Sequence, residues 1–214
     1  MADTRRRWPH DVAIALFSMS LPPSCHRPAA TLKPAMKTLT DHLAGYAAYH
    51  RHVRNVATHF VGIPVIVVSV MALLGRAALD VGGVSVSLAT LTWLASTLFF
   101  LRLDLRYGLS MAVLTGLSLW AGHALAALPM AAWLSASLGL FFGGWVLQFI
   151  GHIYEGRKPA FVDDLTGLVI GPLFVVAEAG FLLGWRREVQ AAIEARVGPV
   201  GALSARERGV VLGR

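Results

Sequence analysis

Cysteine is almost absent from this chain, with Cys25 the only one among 214 residues. That excludes a disulfide-stapled scaffold, a four-cysteine zinc site and an iron–sulfur cluster held by four thiolates. Charge is scarce too: 14% of the residues are Asp, Glu, Lys or Arg, against about a quarter in an ordinary soluble domain. Hydrophobic residues make up 56%. A charged water-soluble module and a disordered chain are both excluded by this balance. The apolar excess is more than one soluble core of this length hides, so the chain reads as an integral membrane protein.

The few charges are unevenly placed. None occurs over 55–75 or over 81–101, each 21 residues long, and a third charge-free run of 48 residues, 107–154, holds only His123 and His152 as basic groups. A hydrocarbon core about 30 Å thick takes roughly 20 residues of helix, because unpaired backbone groups are not left in lipid. The first two runs therefore hold one span each. The third holds two, turning at Leu128-Pro129-Met130. A fifth apolar segment, 165–185, contains Gly171-Pro172 and a single charge, Glu178. The expected fold is all-α, a polytopic transmembrane helix bundle of four spans plus a fifth apolar segment that is re-entrant or spanning. Gly139-x-x-x-Gly143 reads as a mark of close helix packing.

Of the 19 Lys and Arg, eight precede the first span, and Arg102, Arg106, Arg157 and Lys158 flank later connections on the same side. The positive-inside rule then puts the N-terminus in the cytoplasm. A fifth crossing would carry Arg186, Arg187 and the remaining tail to the wrong face, which favours re-entry. The net charge of +7 is thus topological, set beside anionic headgroups, and no aromatic-interleaved basic motif points to nucleic acid. Residues 1–35 read as a disordered leader: Arg5-Arg6-Arg7 and the apolar stretch 12–21 mimic a signal peptide, but Pro22, Pro23 and Pro28 spoil a cleavage site. His10, Cys25 and His26 fall within this leader and outside the candidate site. Residues 36–185 form one transmembrane domain, and 186–214 a cytoplasmic tail with a short amphipathic helix over 186–197, stopped by Gly198-Pro199.

Two polar clusters flank the spans. Tyr49-His50-Arg51-His52-Val53-Arg54-Asn55 and His59 enter the first; Gln148, Gly151, His152, Tyr154, Glu155, Arg157 and Lys158 leave the fourth. Topology alone brings them to one membrane depth, on the cytoplasmic side, with His123 toward the other end. Imidazole is the commonest side-chain ligand for redox metals, and two His with one carboxylate leave Fe(II) open positions for substrate and oxygen. On an unbroken helix His52 and His59 share a face, whereas His50 and His59 point apart. His152 and Glu155, three apart, share a face if their helix continues that far. Glu155, Asp163 and Asp164 are the nearby carboxylates, and Glu178, inside an apolar segment, requires a partner.

At these clusters the sequence resembles the membrane-bound, iron-dependent 2-hydroxy fatty acid dioxygenases, the type that acts in fungal phytosphingosine breakdown. Tyr49, His50, Asn55 and His59 fit the family's first motif, although its Asn-Pro is here His52-Val53. Its second motif is met by Gln148, Phe149, Gly151, His152, Glu155, Arg157, Lys158, Pro159, Ala160 and Asp163. Glu178 follows a Pro-containing apolar run, as in the family, and the likeness extends over roughly 36–185. The resemblance implies His50, His59 and His152 as Fe(II) ligands, Glu155 or Asp163 as acidic ligand or its hydrogen-bonding partner, and Asn55 as a ligand-orienting group. His52 stays a candidate on spacing alone. Arg157 and Lys158 are expected to offset a substrate carboxylate.

The implied reaction is cleavage of a 2-hydroxy fatty acid by O2 between C1 and C2, the tail lying among the spans. Two rival classes are a transporter, which would favour internal repeats and mid-membrane charges, and a non-catalytic membrane scaffold. A two-iron desaturase would need several His boxes, and the eight histidines include no HxxHH cluster.

Overall fold

A computed structural model describes residues 37–201. The expected leader, with His10, Cys25 and His26, and the end of the tail lie outside the described residues. The described chain is an all-α polytopic bundle with one small hairpin. In order it forms α1 (Leu39–Ala47), α2 (Val53–Gly75), β1 (Ala78–Val81), β2 (Val84–Ser87), α3 (Leu88–Leu103), α4 (Leu105–Ala126), α5 (Met130–Glu155), α6 (Thr166–Leu182) and α7 (Arg187–Val197), with a 3-10 turn at Ala160–Val162 ahead of α6.

The charge-free runs become the long helices. α2, α4 and α5 have 23, 22 and 26 residues and are apolar enough to cross a bilayer. The second run behaves differently: residues 81–87 at its start join the preceding 78–80 in an antiparallel β1–β2 hairpin, with Ala78 opposite Ser87. Gly82 and Gly83 turn it at φ 61° and 84°, a left-handed pair that suits a two-residue hairpin. This leaves α3 only 16 residues, about 24 Å at 1.5 Å per residue. α3 still traverses the bundle. At its start Ser87 Oγ meets His123 Nε2 at 2.9 Å, and at its end Asp104 caps α4 and pairs with Arg186 at 3.0 Å. The α4–α5 turn falls at the expected place, with Pro129 as N-cap of α5.

α2 is the central helix, against which α5 and α4 pack closely. A Cβ at Gly122 would lie 2.6 Å from Met71 Cβ, and one at Gly144 2.6 Å from Ile66 Cγ1. Small residues let helices approach where no hydrophobic force in lipid drives them together. Gly139 and Gly143, expected to mark that contact, have nothing within 4 Å; the packing glycine is Gly144, on the adjacent face of the same helix. Val113, Leu117 and Trp120 of α4 and Phe142 and Val146 of α5 are exposed, the lipid-facing side of such a bundle.

The fifth apolar segment does not continue to the far end. Just ahead of α6, Asp164 pairs with Lys37 at 3.3 Å. In its middle Phe174 packs on Tyr46, centroids 5.0 Å apart. Beyond its end Trp185 lies 4.9 Å from Tyr107 and Arg186 reaches Asp104. All these partners belong to the bundle end that carries the start of α2 and the end of α5. A bend of 112° then sends the chain into α7. Arg186 takes a left-handed conformation there, φ 54°, a costly geometry held by its contacts to Asp104, Glu188 and the Tyr107 face. α7, the expected amphipathic helix, buries Val189 and Ile193 and ties to α1 through Arg196–Asp41 at 2.7 Å.

Re-entry of α6 has a direct check. In a Cys25→Ser background, Val162→Cys and Arg187→Cys should react with a membrane-impermeant maleimide from one face, and Ser85→Cys from the other. Labelling of 162 and 187 from opposite faces would show a fifth crossing.

Candidate metal centre

The site begins with a break in the chain. α1 ends at Ala47 and α2 starts at Val53, although no proline stands between them. The break is made by a carboxylate from 100 residues away. Glu155, the last residue of α5, accepts the Arg51 and His52 backbone N–H groups on separate oxygens, each at 2.8 Å, and the Asn55 side-chain amide at 2.9 Å. Free N–H groups and the positive end of the helix dipole favour a carboxylate at a helix start. The His52 ring adds a cap, its Nδ1 accepting from Arg54 N at 3.1 Å.

A buried guanidinium braces the other side. Arg51 Nε donates to the carbonyls of Ala47 and His50 at 2.8 and 2.9 Å. Its Nη1 donates to Gly198 O at 3.0 Å and its Nη2 to Glu178 at 3.2 Å. This supplies the partner that Glu178 required. Two buried carboxylates and one guanidinium thus hold the turn, and removing one member of such a set strands the others.

The turn brings three imidazoles together. His50, His59 and His152 are buried, and one nitrogen from each lies within 4.8 Å of the others. His50 Nδ1 donates to Tyr46 O at 2.7 Å and His59 Nδ1 to Asn55 O at 2.8 Å. A carbonyl only accepts, so in the neutral rings both protons sit on Nδ1 and both Nε2 atoms carry a bare lone pair. Those two Nε2 atoms face each other at 3.0 Å, and His152 Nδ1 is buried without a partner. Opposed lone pairs repel unless a cation lies between them. Two nitrogens about 2.1 Å from one ion and at right angles are about 3.0 Å apart, so the donor set fits a metal. Burial, and next the neighbouring His59, hold the His50 pKa well below its ordinary value, keeping the ring in its ligating form. Tyr46 stacks on His50 at 4.1 Å and 3°, fixing its plane.

Beside the triad lies a cleft of about 70 Å³. His59, His152 and Gln148 form its polar end, and Ile63, Ile66 and Trp145 its apolar walls. Across Tyr46 and Ala160 a second recess, lined by Lys37, Tyr49, Asp163 and Asp164, is polar.

The expected site residues divide between these places. His50, His59 and His152 converge. His52 stands apart from them as the α2 cap, 5.9 Å from the Tyr154 ring. Asn55 donates to Glu155 through its side-chain amide and accepts from the His59 ring through its backbone oxygen. Glu155 spends both oxygens on the turn, and no carboxylate joins the imidazole group among the described residues. Asp163 lies in the second recess, accepting from Tyr49 Oη at 2.8 Å and Lys158 Nζ at 2.5 Å. Lys158, and then Tyr49, hold its pKa below the ordinary carboxylate value. Arg157, exposed, donates to Ala48 O at 3.0 Å. Arg51, Tyr46 and Gln148 were not singled out from sequence for a role; the need of Glu178 for a partner was the one signal pointing to Arg51.

A family profile described as "2-hydroxy-palmitic acid dioxygenase Mpo1-like" matches residues 36–182. The chain belongs to this family. It is 33% identical over 158 residues to the 2-hydroxy-palmitic acid dioxygenase MPO1 of Saccharomyces cerevisiae, covering 73% of this chain and 87% of the yeast protein. No solved structure matches the chain. The Mpo1-like match takes in all three imidazoles, Glu155, Arg51 and Glu178. It ends at the close of α6, so Gly198, whose carbonyl steadies Arg51, lies beyond it.

If Glu155 sets the turn, Glu155→Ala should lower metal affinity about 10- to 100-fold although no ligand is removed. His52→Ala should retain metal near the wild-type level. Metal content of the detergent-purified variants after dialysis checks both.

Proposed function

We propose that this protein is an Fe(II)-dependent dioxygenase that cleaves 2-hydroxy fatty acids between C1 and C2, giving the one-carbon-shorter product. The observation that carries the reading is the pair of facing Nε2 lone pairs, with the unpartnered His152 nitrogen beside them, at the polar end of an apolar cleft. The name of the yeast relative supports the substrate class. Three imidazoles suit Fe, Zn, Cu or Ni, and of these a redox-active ion fits a reaction that consumes O2. Iron(II) bound there would supply the electron-transfer chemistry that O2 needs to react with a closed-shell acid.

The chain's own residues do the rest. His50, His59 and His152 hold the ion. The Tyr46 and Asn55 carbonyls fix the ring tautomers, a layer that commonly tunes metal sites. Glu155 and Arg51 keep His50 opposite His59. Tyr46 separates the cleft from the polar recess and limits water at the triad. The substrate's tail lies along Ile63, Ile66 and Trp145, while its carboxylate and 2-hydroxyl reach the imidazoles. Arg157 and Lys158, engaged by Ala48 O and Asp163, add positive charge near the mouth. The three ligands are neutral, so a substrate carboxylate offsets the charge of the ion.

We place the site on the cytoplasmic side of a bacterial cytoplasmic membrane or the endoplasmic reticulum. Among the described Lys and Arg only Arg76 belongs to the far end of the bundle, and positive charge gathers on the cytoplasmic face.

Purified protein given 2-hydroxypalmitate, Fe(II) and O2 should release a chain-shortened product. His59→Ala and His152→Ala should lose both iron and product, by at least about 100-fold in rate. Equal iron content in the wild type and both variants would overturn the enzyme reading.

A further inference from the structure

Gln148 is buried to 5% exposure yet its Nε2 has no hydrogen-bond partner. An amide donor left unpaired in an apolar helix interface is costly, and the surrounding helices are built to admit it. A Cβ at Gly62 would collide with this Nε2 and come 3.0 Å from Gly144 O, so glycine at 62 makes room for the carboxamide. Gln148 lines the cleft together with His59 and His152.

The cleft is graded in polarity. Down α5 stand His152, Gln148 and Trp145, four and three residues apart and so on one face. Down α2 stand His59, Ile63 and Ile66. Imidazoles come first, then one carboxamide, then only apolar walls. A 2-hydroxy fatty acid has the same order: the C1 carboxylate, the C2 hydroxyl, then alkyl chain. A carboxylate only accepts hydrogen bonds, whereas a hydroxyl both accepts and donates, and a carboxamide offers a donor and an acceptor to match.

The geometry points to the Gln148 carboxamide as the group that recognises the substrate's 2-hydroxyl, an inference that rests on the dioxygenase reading above. With a 2-hydroxy acid bound, the amide gains the partner it lacks. With an unsubstituted fatty acid it stays unpaired, and a buried polar group left so rejects the wrong ligand. Selection of 2-hydroxy acids then comes from the amide as well as from the metal.

The test is equilibrium binding of labelled 2-hydroxypalmitate and palmitate to the iron-loaded, detergent-purified protein without oxygen, so that no turnover occurs. Wild type should prefer the hydroxy acid. Gln148→Met, similar in volume and apolar, should keep its iron but lose about tenfold or more of that preference, through weaker binding of 2-hydroxypalmitate. Palmitate affinity should stay within about twofold. If Gln148→Met loses iron, Gln148→Asn, which withdraws the amide by one methylene, takes its place with the same expected loss. Undiminished preference in either iron-replete variant overturns the inference alone, provided the wild type shortens 2-hydroxypalmitate in air. A wild type that makes no shortened product defeats the dioxygenase reading, and this inference with it.

Discussion

One carboxylate holds the site together. Glu155 closes α5 and, through both oxygens, holds the N–H groups that open α2. His152 lies three residues before it on α5, His59 one helical turn beyond the Asn55 it binds, and His50 in the turn it shapes. A single side chain therefore fixes the relative position of all three imidazoles. The arrangement joins two helix ends of opposite polarity, where a carboxylate gains most at the α2 start. Arg51 meets the turn from its other side, and Glu178 and the Gly198 carbonyl hold Arg51. The centre thus depends on α1, α2, α5, α6 and the end of α7 at once.

The bilayer explains why such a network sits where it does. Buried charges are expensive in lipid and persist when paired or fully hydrogen-bonded, and the Glu155–Arg51–Glu178 set meets that condition at the bundle end. Both ends of α6 meet the same end of the bundle, and this matters for the site. The helix brings Phe174 onto Tyr46 and His50, and it contributes one wall of the cleft. A crossing helix would have carried Glu178 away from Arg51.

Much of this was legible in the sequence, because the bilayer writes itself into composition. Charge-free runs of about 20 residues marked the spans, Pro129 marked the turn between α4 and α5, and positive charge marked the end that carries the site. His50, His59 and His152 were legible through two separated motifs that resemble the family's. Other features depend on three-dimensional contacts that one-dimensional spacing does not carry. With no proline at 53, helical spacing favoured His52 over His50, because the agent that breaks the helix is Glu155, 100 residues downstream. Gly144 was overlooked for Gly139 and Gly143, since the face that a lipid-bathed helix turns to its neighbour depends on which residues that neighbour presents. The shortness of α3 followed from Gly82-Gly83, a turn signal inside an apolar run that length alone assigned to a span.

The tautomers offer a further constraint. With Nδ1 of His50 and His59 committed to carbonyls, Nε2 of each has no proton to give, so the two facing lone pairs repel unless a cation lies between them. Protonating one ring would relieve the repulsion, but burial opposes a charged imidazole there. A divalent cation relieves it without breaking either carbonyl bond. The same logic bears on ligand charge: three neutral donors would leave the full positive charge of a bound ion in a low-dielectric pocket, where Coulomb interactions are strong. No carboxylate of the described chain reaches the group to offset it, since Glu155 is spent on the backbone. On the proposed reading the missing anion arrives with the substrate, so the acid itself, rather than an ester or an alcohol of the same chain length, completes the centre.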